Sequence, residues 1–160
     1  QNTSYEVYTV DVTKLDQWQY DNNFDVIICG ELIEHLENPG LMLEGIKKFM
    51  HDQSELIITT PNPWSRNRLR LISKGIPESE WVNAEHTCWF SFQTLKQLLD
   101  RTGFVELSYD YYFGEYADET YPVQQKWMIP FVKMKQNWIR KTVPRRMYTG
   151  LFFRAILKKD

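Results

Sequence analysis

No apolar run in this chain approaches the roughly 20 residues a helix needs to span a bilayer, and no charged n-region with a short apolar stretch opens it. Cysteine is scarce. The two, Cys29 and Cys88, lie among apolar or aromatic residues without metal-ligand spacing, which argues against a disulfide framework and reads as reduced thiols of a cytoplasmic protein. Charge of one sign is lacking too. The 19 basic and 21 acidic side chains leave a formal charge of -2, so nothing global argues for a nucleic-acid partner, and only local patches remain open. Internal repeats and low-complexity linkers are also missing. What is present is 160 residues with 42% hydrophobic content, enough for one domain with a real core and too short for two ordinary ones. Residues 1–160 are therefore read as a single domain.

The run Val26–Cys29 ends at Gly30 and passes at once into Glu31-Leu-Ile-Glu-His-Leu36, where Leu32, Ile33 and Leu36 take helical spacing. This predicts a strand feeding a helix through a glycine. The turn outside the carboxyl end of such a strand is where open α/β sheets seat their ligands. Upstream, Tyr5–Val12 is rich in β-branched and aromatic residues and predicts a strand ending near Asp11, followed by a loop or short helix to Asn23. Downstream, a turn at Asn38-Pro39-Gly40 precedes an amphipathic helix over 41–50; His51–Ser54 reads as a turn, and Glu55–Thr60 as a buried strand halted by Pro61-Asn62-Pro63. Arg66, Arg68 and Arg70 mark a short basic amphipathic helix that would form a lid. Ser91 caps a helix over Phe92–Asp100 that Gly103 stops, and the segment from Phe104 to Tyr111 alternates as a half-exposed strand does.

Segment 114–147 reads as an insertion or cap. It is acidic and turn-like to Pro122, then basic and amphipathic over 123–143, with a break at Pro130. Two readings of that helix stay open: a cover over the sheet or cleft, and a peripheral membrane-surface or partner-binding helix. Tyr148–Lys159 is the last strand. The order of elements predicts an α/β, Rossmann-like, mainly parallel sheet with helices on both faces and an antiparallel last strand.

On a helix, Glu31, Glu34 and His35 stand at i, i+3 and i+4 and share one face. His86, in Glu85-His86-Thr87, follows the Pro61 loop at the same sheet edge and is a fourth donor. An oxygen-rich set with one or two imidazoles suits Mg²⁺ or Mn²⁺ better than structural zinc. His35 and His86 are also candidates for a catalytic general base or for orienting a substrate, and a purely structural role stays open beside both. Cys29 reads as a small core residue and His51 as a surface one.

As a joint pattern, FDVIICGELIEHLENPGLMLEGIKKF, then ELIITTPNPW, then AEHTCWFSFQTLKQLLDRTGF closely resembles class I S-adenosylmethionine-dependent methyltransferases, over about residues 5–113 and the last strand. The resemblance implies cofactor contacts at Asp11 and Val12, where a carboxylate at a strand end accepts from the adenine amine. It also implies Cys29, Gly30 and Glu31 beside the methionine part, the glycine allowing close approach. Asn62 and Trp64 fall in the substrate wall. The E-x-x-E-H run with a distant His resembles the metal site of small-RNA 3′-terminal 2′-O-methyltransferases and of ubiquinone-pathway O-methyltransferases. That implies Glu31, Glu34, His35 and His86 around a divalent ion that holds vicinal or ribose oxygens and lowers a hydroxyl pKa. Across the broader family Glu-His also occurs here without metal, where the His pins a loop or the Glu meets a helix amino end.

One part of the pattern is missing. The family's Gly-rich loop, and the acidic residue that holds the ribose, would lie upstream of Tyr5, and Gly30, Gly40 and Gly45 form no G-x-G substitute. With Gln1 rather than Met first, the expectation is a fragment without its first βαβ unit, binding the cofactor weakly by itself. The expected activity is S-adenosylmethionine-dependent O-methylation of a small-molecule or glycan-type metabolite. Two alternatives stand beside it: a metal-assisted RNA 2′-O-methyltransferase, against which the lack of basic excess counts, and a degenerate binding module, which the missing glycine loop supports.

Overall fold

The β-branched run Val26–Cys29 extends as β1 (Phe24–Gly30) in the computed structural model, which describes residues 5–113 and 129–159. Beside it β2 (Met50–Pro61) runs parallel, with Ile28 opposite Ile57 and Gly30 opposite Thr59. β3 (Phe104–Tyr112) and β4 (Gly150–Leu157) complete a sheet of order β1-β2-β4-β3. β4 is antiparallel to both its neighbours, so β1, β2 and β3 point the same way and their carboxyl ends share one edge.

Side chains alternate across a strand, and the register sorts them into layers. Leu56 and Ile58 of β2 lie opposite Ala155 and Phe153 of β4 on one face. Met42, Leu43 and Ile46 of α1 (Pro39–Ile46) and Leu95 and Leu99 of α3 (Phe92–Arg101) close over them as the core. Ser91 caps α3 as its sequence predicts, in a reciprocal pair with Thr94. The opposite face carries exposed Val26 and Ile28, and there Arg154 grips Glu55 with two nitrogens (Nη2–Oε1 2.6 Å, Nε–Oε2 3.0 Å). α2 (Arg66–Ser73), the expected basic helix, has no buried residue. α4 (Ile129–Thr142) includes Pro130; residues 114–128 of the expected cap, and with them the stretch before the expected break at Pro130, lie outside the described residues. No helix among the described residues is long and apolar enough to cross a membrane.

Four local expectations fail for tertiary reasons. Residues 5–11 form no strand, because no neighbouring strand among the described residues offers them a ladder; Tyr8 packs instead on Trp18 and Tyr20, and Tyr20 stacks on Phe24. His51–Ser54 is not a turn but the start of β2. Ser54 Oγ donates to the Phe24 carbonyl (2.6 Å) and accepts from the His51 amide (2.8 Å), which absorbs a register shift between Phe24 and Val26. Pro39 and Gly40 do not interrupt a helix but open α1, with proline in its first turn. Finally, no helix starts at Glu31; only a 3₁₀ turn over Ile33–His35 forms.

Candidate active site

The site begins with the residue that stops β1. Glu31 takes φ 48°, in the left-handed region, which costs a non-glycine residue roughly 1 kcal/mol or more. The cost is met by β2: the Glu31 amide donates to the Thr59 carbonyl (3.0 Å) and to Thr59 Oγ1 (3.2 Å). The chain therefore reverses too sharply to continue as an α-helix. Glu31 swings its carboxylate to the Tyr112 hydroxyl at the end of β3, and the following 3₁₀ turn drives Glu34 inward until it is fully buried.

Burying Glu34 organises its surroundings. Its carbonyl accepts from the Thr87 amide (2.8 Å) and the Cys88 amide (3.1 Å), which ties the segment before α3 to this turn. His86 is thereby set against His35, ring centroids 4.6 Å apart and nearly perpendicular. One ligand-capable atom from each of Glu34, His35 and His86 lies within 4.8 Å of the others. Thr60 Oγ1 donates to Glu34 Oε2 (3.0 Å), whereas Glu34 Oε1 and His86 Nδ1 are buried without a hydrogen-bond partner. Burial pushes the Glu34 carboxyl above its usual range; burial, with the charges of His35 and Arg68, pulls the His86 imidazole below its usual value. Both shifts follow from the same dry, crowded turn.

The predicted four-residue metal set is thus corrected to three. Glu34, His35 and His86 converge; Glu31 leaves the group because its backbone is not helical and its carboxylate is engaged by Tyr112. The remaining donors, one carboxylate and two imidazoles with two unpartnered atoms, fit a divalent cation. They suit Mn²⁺, Fe²⁺ or Zn²⁺ more than the oxygen-seeking Mg²⁺.

The other sequence candidates fall elsewhere. Asp11 is exposed and caps the 3₁₀ helix Val12–Gln17, accepting from the Thr13 amide (3.0 Å) and Oγ1 (2.6 Å); these bonds, with Lys14, hold its carboxyl down at about 2. Val12 is the first residue of that helix. Cys29 is buried, which pushes its thiol up to about 11 and leaves it inert at neutral pH. Gly30 is exposed at the end of β1. Asn62 is fully buried and spends its side chain on the protein itself: Nδ2 donates to the Arg146 (2.9 Å) and Tyr148 (2.7 Å) carbonyls, and Oδ1 accepts from the Trp64 amide (3.0 Å). Trp64 is 58% exposed and lines a cavity of about 310 Å³ with Trp81, Trp89 and Arg68. A second cavity, of about 680 Å³, lies by Thr59, Tyr112, Phe152 and Arg140. Asp11 and Gly30 line neither.

Sequence reasoning missed Trp81, Trp89 and Tyr112. A signal existed for the first two, since three of the chain's six tryptophans fall between residues 64 and 89. Tyr112 sits within an ordinary strand pattern, and nothing local connects it to Glu31.

A sheet whose parallel strands end at a polar cluster, with one antiparallel strand inserted, defines an α/β domain of the Rossmann-like class. A profile described as a methyltransferase domain matches residues 2–109, and the chain belongs to that family of class I S-adenosylmethionine-dependent methyltransferases. The fold is similar to that of a SAM-dependent methyltransferase from Archaeoglobus fulgidus, with TM-score 0.57 and 17% identity over 95% of this chain and 67% of that one. It is also similar to a possible histamine N-methyltransferase from Thermotoga maritima, with TM-score 0.57 and 14% identity over 86% of this chain and 58% of that one. A third likeness is to the small RNA methyltransferase HEN1, with TM-score 0.54 and 13% identity over 94% of this chain and 16% of that one. No curated protein sequence matches significantly.

Proposed function

We propose that the protein is an S-adenosylmethionine-dependent O-methyltransferase acting on a small hydroxylated molecule, with a divalent ion at Glu34, His35 and His86. The observation that carries this reading is the pair of buried, unpartnered atoms, Glu34 Oε1 and His86 Nδ1, in a cluster beside the end of β1. Buried polar atoms without partners are costly, and a bound cation satisfies both. Bound S-adenosylmethionine would supply an electrophilic methyl group on a sulfonium whose sulfur, as leaving group, would keep the electron pair of the carbon–sulfur bond. A cation at the cluster would lower the acceptor hydroxyl's pKa. What the chain itself contributes is orientation. Glu34 is fixed by Thr60, Thr87 and Cys88, so Glu34, His35 and His86 would present their donor atoms to a cation, and through it to an acceptor, in one geometry, and burial keeps His86 in the neutral form that ligation needs. The test is transfer of a labelled methyl group from S-adenosylmethionine to a panel of hydroxylated acceptors, expected with Mn²⁺ and abolished by chelator. Full activity in chelator removes the metal from the reading.

Cofactor affinity of this chain alone is expected to be low. Asp11 spends its carboxylate on Thr13 and Lys14, and residues 5–11 form no strand. Calorimetric titration should give a dissociation constant nearer millimolar, about 4 kcal/mol of binding, than micromolar, about 8 kcal/mol; a micromolar value overturns the expectation.

The reading extends to a partner surface. Phe131, Met134 and Trp138 are exposed on α4, a helix with Lys133, Lys135, Arg140 and Lys141 in its sequence and no acidic residue. That pairing of apolar stripe and positive charge matches an anionic lipid surface. Co-sedimentation with phosphatidylglycerol vesicles, but not with phosphatidylcholine ones, is the expected result; loss of at least half the bound fraction should follow Trp138→Ala. Equal binding to both vesicle types counts against it.

A further inference from the structure

The larger cavity, of about 680 Å³, lies on the face of the sheet turned away from the core, and the strand register builds its floor. Thr59 of β2, Phe152 of β4 and Asp110 of β3 are aligned across the strands, so their side chains leave the sheet on the same face. Gly150 and Tyr112 form the next aligned pair. A Cβ at Gly150 would collide with the Tyr112 ring, so the absent side chain lets that ring lie across the start of β4 as a wall, its hydroxyl on the Glu31 carboxylate. The Glu34, His35 and His86 cluster is on the other side of β2. Thr60, the residue after Thr59, takes the opposite face and bonds Glu34 there.

The rim of this cavity is tied down from several sides. Asn62 holds the chain before β4 by the Arg146 and Tyr148 carbonyls (2.9 and 2.7 Å). The Tyr148 hydroxyl donates to the Arg140 carbonyl near the end of α4 (2.9 Å), and Thr149 Oγ1 donates to the Tyr112 carbonyl (3.3 Å). Arg140 and Arg145 therefore reach the cavity from a fixed backbone. The first guanidinium lies over the Phe113 ring, 5.2 Å from its centroid, and the second pairs with Asp110. Charged groups on a backbone held in this way are preorganised for a ligand, as those of an ordinary basic surface are not.

Charge and shape together select the ligand. Among the described residues that line the cavity, two guanidiniums face one carboxylate, which leaves a single positive charge beside a lining rich in rings. We propose that this cavity binds a planar aromatic monocarboxylate, its ring on Phe152 and Tyr112 and its carboxylate on Arg140 and Arg145. The planar fork of a guanidinium matches a carboxylate with two parallel hydrogen bonds. An organic cation would meet two guanidiniums, and a dianion such as a phosphate monoester would bring one more negative charge than the lining balances, beside Asp110. A neutral ring forgoes the charge-assisted bonds. The volume is within the range of small-molecule sites. This site stands apart from the methyl-transfer chemistry and does not depend on it.

The experiment is a calorimetric titration of the chain, without cofactor or metal, with 2-naphthoate, its neutral amide and 2-naphthyl phosphate. 2-Naphthoate is expected to bind at least tenfold more tightly than the amide, and more tightly than the phosphate ester. Arg140→Gln and Arg145→Gln, both at exposed positions, should each weaken 2-naphthoate at least fivefold and leave the amide within twofold, with melting curves showing that both variants fold. Phe152→Leu should weaken acid and amide alike, and Trp64→Leu, in the other cavity, should change neither. The proposal is overturned by equal affinity for acid and amide, by tighter binding of the phosphate ester, or by 2-naphthoate binding unchanged in both arginine variants. No heat from 2-naphthoate at millimolar concentration overturns it as well. Loss of 2-naphthoate binding in Trp64→Leu alone would place the ligand among the indoles and overturn it too. None of these outcomes bears on methyl transfer, which is read in its own assay.

Discussion

Asn62→Ala is expected to destabilise the protein by about 3 kcal/mol, a loss of three hydrogen bonds at about 1 kcal/mol each. The side chain is fully buried at the exit of β2 and joins three backbone groups, the Arg146 and Tyr148 carbonyls and the Trp64 amide. Its own amide also donates to the Thr149 carbonyl (2.8 Å). The residue therefore holds the end of β2 to the chain that enters β4, and β4 is the strand between β2 and β3. For a chain of this size such a loss lowers the melting temperature by roughly 6–12 °C. Asn62→Asp should be at least as damaging, because it keeps the acceptor for Trp64 but turns a carboxylate toward two carbonyls. Urea unfolding in which the alanine variant loses less than about 1 kcal/mol of unfolding free energy would show that the side chain is not structural.

What was legible from sequence is what local rules determine. The apolar period of α3 and its Ser91 cap, the run of β1, and the strand alternation of β3 depend on residues a few positions apart, and each is found where its pattern places it. The recognised motif likewise led to the right family. The errors share one physical cause, which is that distant groups outcompeted local propensity. Leu32, Ile33 and Leu36 have helical spacing, yet the amide of Glu31 is claimed by Thr59, 28 residues away, and the carboxylate by Tyr112, 81 residues away. Two sound rules thus yielded a four-residue cluster in which only three members meet. Tyr5–Val12 has strand composition, but a strand exists only with a partner, and none reaches it among the described residues. Asn62 shows the limit from the other direction: its position in the loop after β2 was correct, while its bonds to residues 146 and 148 have no local trace.

Glu34→Gln should separate stability from function at the same site. The Glu34 carboxyl is buried, and burial raises its pKa above the ordinary 4.5. The folded state then holds the proton more tightly than the unfolded state, so the carboxyl stabilises the metal-free protein at low pH and that contribution is lost as pH rises from about 4.5 through the raised folded value. Gln keeps the shape and the bond from Thr60 without the charge. The variant should therefore melt higher than the wild type at pH 8 in chelator, and the difference should shrink toward pH 4. His86 acts with the opposite sign. Its pKa is lowered from 6.5, so its neutral form contributes stability above about pH 6.5 that is lost as the solution is acidified through its depressed folded value. With Mn²⁺ at about a hundred times its dissociation constant, the wild type should gain about 2.7 kcal/mol, or roughly 5–11 °C. In the variant that gain should fall below about 2 °C, because the ionised oxygen opposite His35 and His86 is gone. A variant that melts no higher than the wild type at pH 8 and still responds fully to Mn²⁺ would show that Glu34 is neither a buried charge in the folded protein nor a ligand, and the cluster would then be only packing.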